Sequence, residues 1–136
     1  MFSQTSHFSI MKLTKLLSAI FLTIIFLSFG CATDSKTLEV DQLYGYWEIR
    51  SAQRNGHPTE TLTNTFFEFT PNDQMRTNFN MEGIEVSSEF EIDGNDIIQK
   101  HTDNLIYSVE KLEEDKLVLF VTLMDYHFTL NLEKTD

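Results

Sequence analysis

From residue 43 to the end of the chain, apolar and polar residues alternate in short runs separated by turn-forming residues. A period of two is the mark of half-buried β-strands. The stretch from Ile84 to Ile92 has it most plainly, with Ile84, Val86, Ser88, Phe90 and Ile92 on one side and Glu85, Ser87, Glu89 and Glu91 on the other. One face of such a strand packs on a core and the other meets water. A first strand begins at Gly45, sets Trp47, Ile49 and Ser51 against Glu48 and Arg50, and ends at Arg54-Asn55-Gly56, where Asn-Gly is a strong hairpin signal. A second runs from about Thr63 to Thr70, with Phe67 and Phe69 on one side and Phe66 and Glu68 on the other, and stops at Pro71-Asn72-Asp73. A third sets Met75, Thr77, Phe79 and Met81 against Arg76, Asn78 and Asn80. After the run to Ile92, Asp93-Gly94-Asn95-Asp96 makes a turn into a short strand from Ile97 to His101. Strands over Leu105–Leu112, Lys116–Leu123 and Tyr126–Glu133 complete the series, the last burying Phe128, Leu130 and Leu132.

Residues 43–136 contain no helical pattern of useful length, no internal repeat and no low-complexity segment. The links are too short for crossovers, so consecutive strands are neighbours. An up-and-down order of about eight strands would leave two open edges, and closure removes them. The expected fold is therefore all-β, a small up-and-down antiparallel β-barrel, and a monomer. Its interior side chains fill it or line a small guest. The candidates are Phe67, Phe69, Met75, Phe79, Phe90, Tyr107, Leu119, Tyr126 and Phe128, with Met75 and Met81 suited to irregular gaps. Tyr107 and Tyr126 each bring a phenol that wants a hydrogen-bond partner and can orient a polar head group.

The first 30 residues differ in kind. They contain no acidic residue, two lysines (Lys12 and Lys15) and an apolar run from Leu16 through Phe29. A charged start, an apolar stretch and a small residue at its end make a signal peptide. A transmembrane helix needs about 20 apolar residues, and this run is shorter. Two starts are open, because Met11-Lys12-Leu13 begins a more ordinary signal peptide than Met1 does. Ser28-Phe29-Gly30-Cys31 resembles a lipobox, with Leu27 four residues before the cysteine rather than the preferred three. The resemblance implies cleavage before Cys31, a diacylglycerol (palmitate-type chains) on its sulfur and acylation of the new amino terminus. Cys31 is the only cysteine, so no disulfide forms within the chain. One acyl chain holds a protein marginally, whereas two or more hold it stably. The expected organisation is a signal peptide at 1–30, a lipidated cysteine and short polar linker at 31–42, and a barrel at 43–136. Ala32, where inner-membrane lipoproteins tend to carry aspartate, favours the outer membrane of a Gram-negative cell envelope.

Charge then narrows the partners. Of ten basic residues two precede the cut, so the exported part sets eight against all 21 acidic residues, a net charge of −13. Such a surface disfavours nucleic acid and keeps the folded domain off anionic head groups.

Leu43-Tyr44-Gly45-Tyr46-Trp47-Glu48-Ile49 looks like the Gly-x-Trp opening of lipocalins and of the lipocalin-like domains of bacterial lipoproteins. Asn55-Gly56, Phe67-Glu68-Phe69-Thr70-Pro71-Asn72, and Ile106 to Leu112 leading into Asp115-Lys116-Leu117-Val118-Leu119 fit the same order and spacing. The resemblance implies that Gly45 and Trp47 form a structural motif, the tryptophan closing one end of the barrel beneath a ligand cavity. The family also commonly sets an arginine near the last strand's end to lie over that ring; this chain departs from it, with only Lys134 nearby, and lysine stacks less well. The strands are short and no flanking helix follows, so the implied cavity is small or absent.

The remaining chemistry is sparse. His57, His101 and His127 are scattered without the spacing of a metal site. Asp93-Gly94-Asn95-Asp96 starts like a calcium loop, but its twelfth position is Asn104, which has no bidentate carboxylate to offer. No Ser/His/Asp or Cys/His arrangement suggests itself, and Glu89 and Glu91 lie on a solvated face. The expectation is a non-enzymatic protein without metal or cofactor, tethered through Cys31 and binding a small apolar or amphipathic ligand. The alternative is an interaction or inhibitor module of the cell envelope, docking another protein through its acidic loops and an outward Phe66.

Overall fold

A computed structural model describes residues 37–136 apart from Asp103. The signal peptide, the choice between Met1 and Met11, the lipidation of Cys31 and the first half of the linker fall outside the described residues. One helical turn, α1 (Val40–Leu43), leads into nine strands: β1 (Gly45–Arg54), β2 (His57–Thr59), β3 (Phe66–Thr70), β4 (Gln74–Thr77), β5 (Val86–Asp93), β6 (Asp96–Lys100), β7 (Ile106–Leu112), β8 (Lys116–Leu123) and β9 (Tyr126–Thr135). From β3 onward each strand pairs antiparallel with the next, and β1 pairs with both β3 and β9. The ladder from Tyr46↔Thr135 to Arg54↔Phe128 closes the sheet. The fold is thus a closed eight-strand antiparallel barrel in up-and-down order, as the alternation predicts. The three-residue β2 extends the row of β3 along the far end of β1, where Ala52 faces Thr59 and Arg54 faces His57.

The turns follow from the residues that make them. Asn55 and Gly56 both take positive φ, 52° and 78°, in the two-residue loop between β1 and β2. That is the backbone Asn-Gly favours in a hairpin. The hairpin is real, but its partner is the unanticipated β2 rather than the next long strand.

Three expectations need correction. In β1 the register slips between Ile49 and Ser51, so Ala52 is buried and Ser51 exposed. A bulge adds one residue and turns the following side chains over, which a strict period of two does not anticipate. The third strand stops at Thr77 instead of reaching Met81. Asn78 accepts from the Phe66 amide at 3.1 Å and donates to the Asn64 carbonyl at 2.9 Å, while Asn80 donates to the Ile84 carbonyl. Asparagine side chains offer the backbone an alternative to the ladder, and here they lift Met81 and Ile84 out of the sheet. The packed chain also starts earlier than residue 43, because Leu38 belongs to the core and Val40–Leu43 is helical.

The buried residues from Leu38 to Leu132 form one cluster. Inside it Phe67 meets Tyr107 edge-on at 5.3 Å, Phe69 meets Phe90 at 5.4 Å and Phe79 meets Phe128 at 5.6 Å, the geometry aromatic rings prefer. Because this part of the chain closes its own sheet and buries its own core, residues 37–136 fold as a unit.

The floor of the barrel is built around Trp47. Its indole N–H donates to the Leu43 carbonyl at 2.8 Å, and the Lys134 ammonium sits 4.8 Å from the ring centroid. The same ammonium donates to the carbonyls of Gln42 and Tyr44 at 3.0 and 2.9 Å, capping the end of α1. A lysine therefore provides the cation over the tryptophan. Gly45 lies against it with φ 133°, and a Cβ there would come within 3.2 Å of Lys134 Cε. The backbone conformation favours glycine at the head of the Gly-x-Trp motif, and a side chain there would press on the Lys134 stem.

Candidate functional site

The end of the barrel opposite Trp47 is open. There β4, β6 and β8 finish and β5, β7 and β9 begin, and the asparagine-held segment after Thr77 stands above the sheet. Between it and the chain around His101–Leu105 lies a half-open cavity of about 460 Å³, walled by Phe79, Met81, Ile84, Val86, Leu105 and Leu123. Asn80, Glu82 and His101 stand among its polar lining. Small-molecule sites run from roughly 300 to 1,000 Å³ and are mostly apolar with a few placed polar groups.

Gln99 is the buried polar group of that wall. It faces Phe90 across β5 and β6, is only 2% exposed and lines the cavity. Its carboxamide oxygen accepts from the Tyr107 hydroxyl at 2.8 Å. Burial pushes the Tyr107 phenol well above its ordinary pKa, so it remains a donor. With the oxygen engaged, the two amide hydrogens of Gln99 form no hydrogen bond among the described residues. One inward position nearer the mouth on β5, the Ser88 hydroxyl is buried and likewise without a partner there. Among the described residues, Ser88 Oγ is the enclosed polar atom without a partner, and Gln99 is the one of the two that lines the cavity. Replacing Tyr107 by phenylalanine should lower stability by about 1–3 kcal/mol, because the Gln99 oxygen loses its donor. Urea denaturation measures this, and a change within about 0.5 kcal/mol would mean that the bond is not made.

The rim extends the apolar character outward. Among the described residues, Met81 (62% exposed), Ile84, Ile106, Met124 (65%) and Tyr126 (46%) are the large apolar residues left exposed, and all lie at this end of the barrel. Met124 holds a positive φ of 55° in the loop between β8 and β9, a conformation unfavourable for a residue with a side chain.

Two other depressions fit a ligand less well. One of about 220 Å³ lies at the floor end against Leu38, Gln42 and Leu112, on the far side of the Trp47 plug. The other, about 660 Å³, lies against the outer wall between Ile49, Arg50, Pro58 and Leu62. There Arg50 is paired with Glu133 at 2.6 Å.

Among the candidate lining residues, Phe79 alone forms part of the cavity wall. Phe67, Phe69, Met75, Phe90, Tyr107, Leu119 and Phe128 are buried in the packed core beneath it. Tyr126 is not interior: it stands at the rim with the Arg54 guanidinium 5.2 Å over its ring. Gly45 and Trp47 sit at the floor. Phe66 points outward but is half-buried, stacked on Tyr46 at 5.2 Å. Alternation put Ile84 and Val86 on the inner face without marking them as a site, and it passed over Gln99, Leu105 and Leu123. Gln99 left a readable trace, a polar residue at an inward position of Ile97-Ile98-Gln99.

No protein-family model matches this sequence, and no curated protein matches it.

Proposed function

We propose that the protein is a lipid-anchored, lipocalin-like lipoprotein of the cell envelope whose barrel mouth binds a small apolar or amphipathic molecule. The observation that supports binding is the half-open cavity walled by Phe79, Val86, Leu105 and Leu123 and reaching the buried amide of Gln99. A small barrel stabilised only by its core would fill this end as it fills the floor. The test is a titration of residues 37–136 with the uncharged apolar fluorophore N-phenyl-1-naphthylamine. A saturable one-site rise in fluorescence is expected, and the absence of saturation would overturn the binding reading.

The anchor rests on the lipobox resemblance, the single cysteine and the change of charge at residue 31. Ala32 after the cysteine supports the outer membrane of a Gram-negative cell. Cells fed a clickable fatty acid should label the wild-type protein and not Cys31→Ala; equal labelling of both, or of neither, would remove the anchor from the account.

One observation favours a second reading, an interaction module. Ile106 and Met124 are exposed on the rim but are not part of the cavity wall. A photocrosslinker placed at Met124 should then trap an envelope protein in cells, and no adduct would count against it.

A further inference from the structure

Resting on the reading of the mouth as a ligand site, we infer that the site selects an uncharged amphiphile whose hydrogen-bond-accepting head reaches down to Gln99, and excludes the matching carboxylate. The cavity wall is apolar, and its buried polar group is an amide with the oxygen already engaged by Tyr107 at 2.8 Å. What remains for a guest is the pair of neutral N–H donors of Gln99, which lines the cavity. A hydroxyl, amide or ester oxygen fits them.

A carboxylate fits poorly. Burying an ionised head requires a paired charge as well as hydrogen bonds. Apart from His101, no basic side chain lines the cavity, and Glu82 does. The nearest basic residues along the chain are engaged elsewhere: Lys100 pairs with Glu91 at 2.7 Å, and Arg76 with Glu68 and Glu85 at 2.6 and 2.9 Å. The domain's excess of acidic residues adds a field of the same sign. An acyl chain offered as the carboxylate is therefore rejected, while the same chain ending in a neutral group is accepted. The apolar rim of Met81 and Ile84 stands where the tail leaves the mouth.

The experiment displaces N-phenyl-1-naphthylamine from residues 37–136 with three eight-carbon competitors, 1-octanol, octanamide and octanoate, at a pH where octanoate is ionised. Octanamide and octanol should compete at least about tenfold more strongly than octanoate. In a parallel titration followed by NMR, octanamide should move the side-chain NH2 signals of Gln99. Gln99→Met keeps the volume and removes the donors, and should narrow the gap between octanamide and octanoate. The wild-type comparison decides the matter even if that variant folds poorly. If the fluorophore itself never saturates, the ligand-site reading fails. If it binds but octanoate competes as well as octanamide, or the Gln99 signals stay fixed, only this inference is overturned.

Discussion

Replacing Trp47 by alanine should lower the stability of residues 37–136 by about 3–5 kcal/mol, the range for removing a large buried aromatic. The site admits little relaxation. The indole is fully buried, its N–H is bound to Leu43, and Lys134 lies on its face while capping α1. Losing the ring opens the floor and leaves the ammonium over a void. Lys134→Met should cost less, about 1–2 kcal/mol, since it removes the cation and two hydrogen bonds but keeps most of the chain that covers the ring. Denaturation followed by far-ultraviolet circular dichroism is the measurement, because Trp47 is the only tryptophan and its fluorescence disappears with it. A loss below about 1.5 kcal/mol for Trp47→Ala would show that the floor is not a structural plug.

Val86→Trp is expected to do the opposite: leave the fold and remove the site. Val86 starts β5 at the mouth, half-buried, with its side chain in the cavity wall. An indole there has open space to occupy. The usual overpacking cost of about 1–3 kcal/mol should therefore fall to its lower end. Saturable binding of the fluorophore should disappear while the melting temperature stays near that of the wild type. Undiminished binding would place the guest somewhere other than the mouth.

These two variants divide the barrel along the line that divides what its sequence discloses. The floor is legible because its residues obey short-range rules. Gly45 needs its positive φ, Trp47 its burial, and Asn55-Gly56 its hairpin, and each rule names the residue that satisfies it. The long strands are legible for the same reason, and Lys116–Leu123 falls where alternation places it. Legibility fails where side chains compete with the ladder. The bulge between Ile49 and Ser51 reverses Ser51 and Ala52 without a local marker. Asn78 and Asn80 continue the alternating pattern yet use their amides to end β4, and so they create the mouth. The nine aromatic, methionine and leucine candidates went mostly to the core, because a barrel this small fills its lower layers before leaving room above them. Gln99, a polar residue in an apolar alternation, was the better pointer.

The central claim is that the mouth is a ligand site and not a packing defect. Native mass spectrometry of the protein taken from its own host, with Val86→Trp beside it, tests this most directly. A ligand site at the mouth predicts a small-molecule mass carried by the wild type and absent from the variant. A wild-type protein free of ligand in every preparation, or the same added mass on both, would contradict it.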